Sequence, residues 1–226
     1  MTDTFWQTVT LTLQLASVTT LILLCIGIPL AWYIARSQQR FTPLIEAIIA
    51  MPLVLPPSVL GYYLLVGFAP DSAMGGIWQH LFDRQLAFTF EALVIASVIY
   101  SAPFVIQPLV NSFQQIPNSL LTAATSLGCS GWQRLVFLVL PMLKSTVVSA
   151  AIMGFAHTVG EFGVVLMIGG NIPGETQVMS IALYQEVEML NFETANQYAA
   201  VLLGFSALVL VVVYSLQARS RVRGWQ

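Results

Sequence analysis

Two side chains stand out as able to do chemistry in an otherwise apolar setting. Glu161 and His157 lie within residues 135–170, a long stretch dominated by Val, Leu, Ala and Gly. A carboxylic acid at membrane depth is expensive to keep and marks a functional position by default. His157 precedes it by four residues, so a helix would put both on one face, close enough to hydrogen-bond. The pair is the one candidate in the chain for acid–base catalysis. It is also the kind of polar contact that closes a helix end, forms a gate or lines a subunit interface. Gly160 and Gly163 flank Glu161 and would allow close packing there, which favours the second reading. A carboxylate repels anions, so direct contact with an anionic cargo is not expected of it.

Little other chemistry is spelled out. The only lysine is Lys144, and it follows Leu143, so the chain has no Gly-Lys-Ser or Gly-Lys-Thr phosphate-binding loop and is not expected to hydrolyse ATP. Cys25 and Cys129 are far apart and form no metal-type spacing, so no metal or other cofactor is expected. A formal net charge of −2 provides no basic surface for nucleic acid.

The elements that would position these residues follow from composition. Only 8% of the 226 residues are charged and 57% are hydrophobic, against about 25% charged in soluble domains. The apolar residues must face lipid, and the length suits one domain. Five segments are apolar enough to cross a bilayer: 11–34, 44–68, 88–109, one within 135–170, and 198–216. In lipid they must be helices, which predicts an all-α membrane protein. Residues 135–170 are too long for one simple span. Either the stretch begins along the membrane surface, or its end folds back, or it splits to make six spans. Pro52, Pro56 and Pro57 are expected to kink or break the second span. A broken helix can line a cavity, and it can equally be a bend that neighbouring helices tolerate. No Lys or Arg precedes the first apolar run, which is also longer than a signal-peptide core, so it is expected to stay as a span. Arg36, Arg40, Arg134, Arg219, Arg221 and Arg223 fall on one side of such a topology and only Arg84 on the other. That bias predicts an external N-terminus and a cytoplasmic C-terminus, with 71–84 and 171–197 external.

Residues 114–134, between the third and fourth spans, therefore face the cytoplasm. Pro117-Asn118-Ser119 opens a short helix with Ser119 as its expected N-cap. Gly128 ends it, and Ser130-Gly131-Trp132 starts the next. Ala123, Ala124 and Gly128 give the helix a small face, and Leu120, Leu121 and Leu127 give it apolar anchors. This is the pattern of a docking element. An ordinary loop helix between spans is the bland alternative.

At this segment the chain resembles the membrane subunits of binding-protein-dependent ABC importers. Their cytoplasmic consensus is Glu-Ala-Ala, three residues, Gly, nine residues, then Ile-x-Leu-Pro. Here Thr122-Ala123-Ala124, three residues, Gly128, nine residues and Leu138-Val139-Leu140-Pro141 keep every spacing. Thr122 stands in place of the acid and Leu138 in place of isoleucine. The run Met51-Pro52-Leu53-Val54-Leu55-Pro56-Pro57-Ser58-Val59-Leu60-Gly61-Tyr62 and the elements Gly160-Glu161-Phe162-Gly163 and Gly170-Asn171-Ile172-Pro173-Gly174-Glu175-Thr176 resemble the permeases of molybdate importers, with sulfate permeases next.

The resemblance implies a type-1 ABC importer transmembrane domain over 7–217 and a short basic cytoplasmic tail over 218–226. It implies an ATPase-coupling element built from Ser119, Leu120, Thr122, Ala123, Ala124, Leu127, Gly128, Leu140 and Pro141. It leaves Pro52, Pro56, Pro57, His157, Gly160, Glu161 and Gly163 as pathway or gate candidates. Implied partners are two copies of a cytoplasmic ABC ATPase, a periplasmic molybdate-binding protein, a second copy of the chain and the lipid of the bacterial inner membrane. Tungstate and sulfate or thiosulfate are alternative cargoes. A self-sufficient secondary transporter is the rival class, but the internal repeats and central ion sites usual in that class are not seen.

Overall fold

A computed structural model describes residues 3–223, with side chains described through residue 216. Every regular element among the described residues is helical. The last residues of the expected tail, 224–226, lie outside the described residues, as do the side chains of 218–223.

Three helices are long and apolar enough to cross a membrane. They are α1 (Asp3–Arg36), α5 (Phe90–Gln114) and the apolar part of α12 (Phe192–Arg223). At 1.5 Å per residue, the 34 residues of α1 extend well beyond a hydrocarbon core of about 30 Å. Its buried positions, including Leu11, Leu15, Ala16, Leu23, Gly27, Ala31 and Ile34, recur every three or four residues and form one stripe that packs on α5. The small members of that stripe set the approach. A Cβ on Gly27 would lie 3.2 Å from Ile106 of α5. Such close fits, rather than a hydrophobic effect, hold helices together in lipid.

Two apolar clusters stack along this pair. Leu11 and Leu15 of α1 meet Ala92, Leu93 and Ala96 of α5 in one. Leu23, Ala31 and Ile34 meet Val105, Leu109 and Phe113 in the other.

The second expected span is not one helix. It divides into α2 (Thr42–Ala50), which runs on through a 3-10 turn (Met51–Leu53), and α3 (Pro57–Phe68), and the two halves are bent by 109°. Proline causes the break. Pro56 takes an extended conformation (φ −55°, ψ 135°) and Pro57 occupies the first helical position, where its missing N–H does no harm. Each half is too short to cross alone. Between α3 and α5, the short α4 (Ala73–Phe82) starts at Ser72, whose hydroxyl accepts the Gly75 N–H at 2.9 Å.

Residues 131–160 break in the same way. α7 (Gly131–Gln133), a π-helical stretch (Arg134–Val139) and α8 (Leu140–Met142) run together, then turn by 83° into α9 (Lys144–Gly160). Residues 131–142 thus lie at a steep angle to α9. The chain breaks again at Glu161-Phe162 before α10 (Gly163–Gly169). If each bent pair counts as one span, the total is five. α11 (Met179–Glu188) leads into α12. The helix α6 (Asn118–Ser126) lies between α5 and α7.

Candidate functional site

The segment expected to dock a partner folds as α6. Its start differs from expectation. Pro117 is the N-cap residue, held extended by its ring (φ −59°, ψ 133°), and Ser119 is an exposed residue of the first turn that caps nothing. Its end follows expectation. Gly128 is left-handed at φ +85°. The Cys129 N–H reaches Ala124 O at 3.1 Å and the Gly128 N–H reaches Thr125 O at 2.9 Å, the paired bonds of a Schellman ending. Ser130 then opens α7 with a reciprocal capping box: Gln133 N–H to Ser130 Oγ at 3.3 Å, and Ser130 N–H to Gln133 Oε1 at 2.8 Å.

Two arginines tie this short helix to the bundle, and sequence reading did not single them out for this. Arg36, the last residue of α1, donates to Phe113 O at 2.5 Å, Ile116 O at 3.3 Å and Asn118 Oδ1 at 3.1 Å. It therefore satisfies carbonyls at the end of α5 and grips the first residue of α6. Its guanidinium also lies 5.2 Å from the centre of the Trp32 ring. Arg134 donates to Thr125 Oγ1 at 2.8 Å and holds the other end. An arginine closing one helix, followed later by Pro-Asn opening another, was the available signal. The pairing itself spans 82 residues and needed the fold.

The anchors of α6 divide between two directions. Leu121 is buried and Leu120 half-buried, both in the protein's own inner cluster. They fasten the helix to the bundle and do not face a partner. Leu127 is 85% exposed. Thr122 and Ala123 are exposed beside it and Ala124 is half-buried. Leu127 and Gly128 border a groove of about 420 Å³ whose far wall includes Phe137 and Leu138. Phe137 and Trp132 are also largely exposed. Leu140 is half-buried against the inner cluster and Pro141 is exposed at the bend into α9. The doubly clamped helix thus presents exposed apolar side chains beside a groove, a surface of the kind that can take part in interactions.

The second site surrounds Glu161. The expected pairing with His157 does not form. Glu161 is the residue after α9, at φ −67° and ψ 132°, so it has left the helix and no longer shares a face with His157. His157 Nδ1 instead lies 2.9 Å from Ser101 Oγ of α5, which in turn lies 3.1 Å from Thr158 Oγ1. The imidazole stacks on Phe104 with ring centres 3.9 Å apart and lies 4.9 Å from Tyr100. Glu161 is buried, and neither carboxyl oxygen has a hydrogen-bond partner among the described residues. Ser97 Oγ is likewise without a partner. The Glu161 carbonyl accepts a bond from Ser180 Oγ of α11 at 2.5 Å. With the imidazole and the carboxyl facing different neighbours, they do not form a catalytic dyad.

The flanking candidates separate as well. Gly163 packs on α3: a Cβ there would lie 2.7 Å from Pro57 Cβ. Gly160 is exposed, with open space where a Cβ would go. Pro52 is buried in its 3-10 turn, and Pro56 and Pro57 are exposed at the break.

Residues 27–223 match the family described as "Binding-protein-dependent transport system inner membrane component". The chain belongs to this family. Among relatives, the molybdenum transport system permease protein ModB of Azotobacter vinelandii is 48% identical over 205 residues, 91% of each chain. The sulfate transport system permease protein CysT of Escherichia coli K12 is 30% identical over 193 residues, covering 85% of this chain and 69% of that one. Among solved structures, a bacterial alginate ABC transporter in complex with an alginate pentasaccharide-bound periplasmic protein superimposes with a TM-score of 0.76 at 15% identity, over 98% of this chain and 80% of that one. The fold is thus that of an ABC importer transmembrane subunit, and the chain is a multi-pass membrane protein of a transport system.

Proposed function

We propose that this chain is the pore subunit of an ATP-driven molybdate importer in the bacterial inner membrane. The supporting observation is the 48% identity, sustained over 91% of both chains, with a relative named for molybdenum transport. The chain lacks a phosphate-binding loop, so ATP is hydrolysed by a separate ABC ATPase. Two copies of that ATPase dock on the α6 helices of two copies of this chain, with Leu127 as the apolar knob and the small face of Ala123, Ala124 and Gly128 beside it. A periplasmic molybdate-binding protein delivers the anion to the opposite face.

Mechanism follows from how rigidly α6 is held. Arg36 fixes it to the ends of α1 and α5, and Leu121 to the inner cluster. A displacement of α6 by the ATPase is therefore passed to both long helices and is not absorbed in a loop. ATP binding draws the two ATPases together and turns the pore outward, and hydrolysis reverses this. The ATPase biases a two-state rigid-body alternation. No covalent chemistry takes place in this subunit. The break at Glu161 and the wedge of Gly163 on Pro57 lie where α9, α10 and α3 meet, which suits them to gating.

The experiment is uptake of radiolabelled molybdate into proteoliposomes holding the assembled complex, with binding protein outside and ATP inside. Uptake should require both, and excess sulfate should compete weakly. Uptake without ATP would overturn the ATP-driven reading. The similarity to a sulfate permease supports a second reading in which the cargo is sulfate. Transport of sulfate to the exclusion of molybdate would decide for it.

A further inference from the structure

We propose that three carboxamides on α5, Gln107, Asn111 and Gln114, line the inner half of the anion path and conduct the oxyanion by neutral hydrogen-bond donors. The proposal rests on the transport reading above. The three residues are spaced four and three apart, so they share one helix face. Asn111 and Gln114 are exposed, Gln107 is half-buried, and none of the three side chains has a hydrogen-bond partner among the described residues. A membrane span does not turn a row of unpaired amides toward lipid, where nothing answers them. α12, by contrast, exposes Leu203, Leu208, Leu210 and Val211, side chains that suit lipid. The amides of α5 therefore face water, with a second copy of the chain closing the far side.

The space in front of them has a shape that suits this. A cavity of about 460 Å³ lies between α2 and α5, with all three carboxamides on one wall and Glu46 and Ala47 on the other. Gln114 also borders a second cavity of about 470 Å³, which contains Arg36 and Asn118 at the end of the molecule that carries α6. Above the row, the same face of α5 continues as Phe104 and Tyr100, and the ring of His157 covers both. The face thus reads as an aromatic cover, then a donor row, then a cationic mouth. A tetrahedral oxyanion offers only acceptors, and carboxamide N–H groups supply donors without a full charge. No Lys or Arg lines the first cavity, and Glu46 stands on the wall opposite the amides, so the cavity holds no cation that would trap an anion beside the donor row. The anion can therefore be passed along but not retained, which is the requirement for conduction.

The test uses single cysteines at 107, 111 and 114 in a Cys25→Ser, Cys129→Ser background, in the full complex with its ATPases and binding protein. Leu208→Cys is the lipid-facing control. A charged, water-soluble thiol reagent should label Asn111→Cys and Gln114→Cys at least tenfold faster than Leu208→Cys. Asn111→Leu should slow oxyanion uptake at least tenfold while insertion and ATPase co-purification stay normal, and Asn111→Gln should recover most of it. Labelling no faster than at residue 208, or unchanged uptake in Asn111→Leu, overturns the path assignment. Molybdate and sulfate are assayed in parallel. If the wild type carries only sulfate, the choice of molybdate fails, while fast labelling and slowed sulfate uptake in Asn111→Leu still support the path.

Discussion

Leu121 of α6 and Leu127, the residue that follows its last turn, illustrate how much one side chain's direction decides. Leu121 fills the inner cluster, so Leu121→Ala should destabilise the permease itself by about 2–5 kcal/mol, through lost burial and the cavity left behind. Leu127 touches mostly solvent, and Leu127→Ala should leave the melting temperature of the purified permease nearly unchanged. If Leu127 is the knob that enters the ATPase, the same change should weaken ATPase binding by about 1–3 kcal/mol, roughly tenfold or more. Thermal melting and ATPase pull-down on both variants separate the two roles. Gly128 provides a second contrast. It sits at φ +85° with open space around it, so Gly128→Ala meets backbone strain of about 1–2 kcal/mol but no clash. Gly128→Glu adds a charge that docking would desolvate. It should abolish ATPase co-purification without lowering the amount of inserted permease.

Helices in this molecule meet through gaps left by glycine, and the gaps are specific. Gly163→Ala would drive a methyl group into Pro57 and should cost about 1–3 kcal/mol by prying α10 from α3. Gly160→Ala, three residues earlier and still helical, meets nothing and should be neutral or slightly stabilising. A denaturation midpoint for each variant checks the pair, and a reversal of their order would refute the packing described for the Glu161 break. Arg36 acts on the same scale, since it joins the ends of α1, α5 and α6. Arg36→Lys keeps the charge but cannot reproduce the forked donation to three acceptors. Both Arg36→Lys and Arg36→Ala should therefore uncouple ATP hydrolysis from uptake, with ATPase activity retained and transport per ATP reduced several-fold.

At the scale of the whole molecule, arginine distribution predicts which face is which, and labelling can test it. Gly174 is a poor site for a cysteine because its φ is +80°. Glu175 is exposed next to it and serves better. In the same cysteine-free background, an impermeant reagent should label Glu175→Cys in intact cells and Ser126→Cys only after permeabilisation. The opposite pattern would invert the molecule and remove α6 from reach of any cytoplasmic ATPase.

The helical class, the apolar spans and the short helix of residues 118–126 were legible in the chain itself, because each depends on local facts. Scarce charge dictates lipid exposure, Pro56-Pro57 breaks a helix wherever it stands, and a glycine after Leu127 ends one. What the sequence could not reveal depends on partners distant in the chain. His157 and Glu161 are four residues apart, and helical spacing pairs them. The tertiary structure separates them, because the helix stops at Gly160 and Ser101 of α5 offers the imidazole a closer bond. Likewise, Leu121 and the Leu127 that follows the last turn of α6 are both leucines, and only the seating of α6 on α1 and α5 decides that one faces the core and the other faces out. Sequence periodicity fixes which residues share a face, but the neighbours that a face meets are chosen by packing between helices separated by tens of residues. That is why the elements could be read from the chain and their contacts could not.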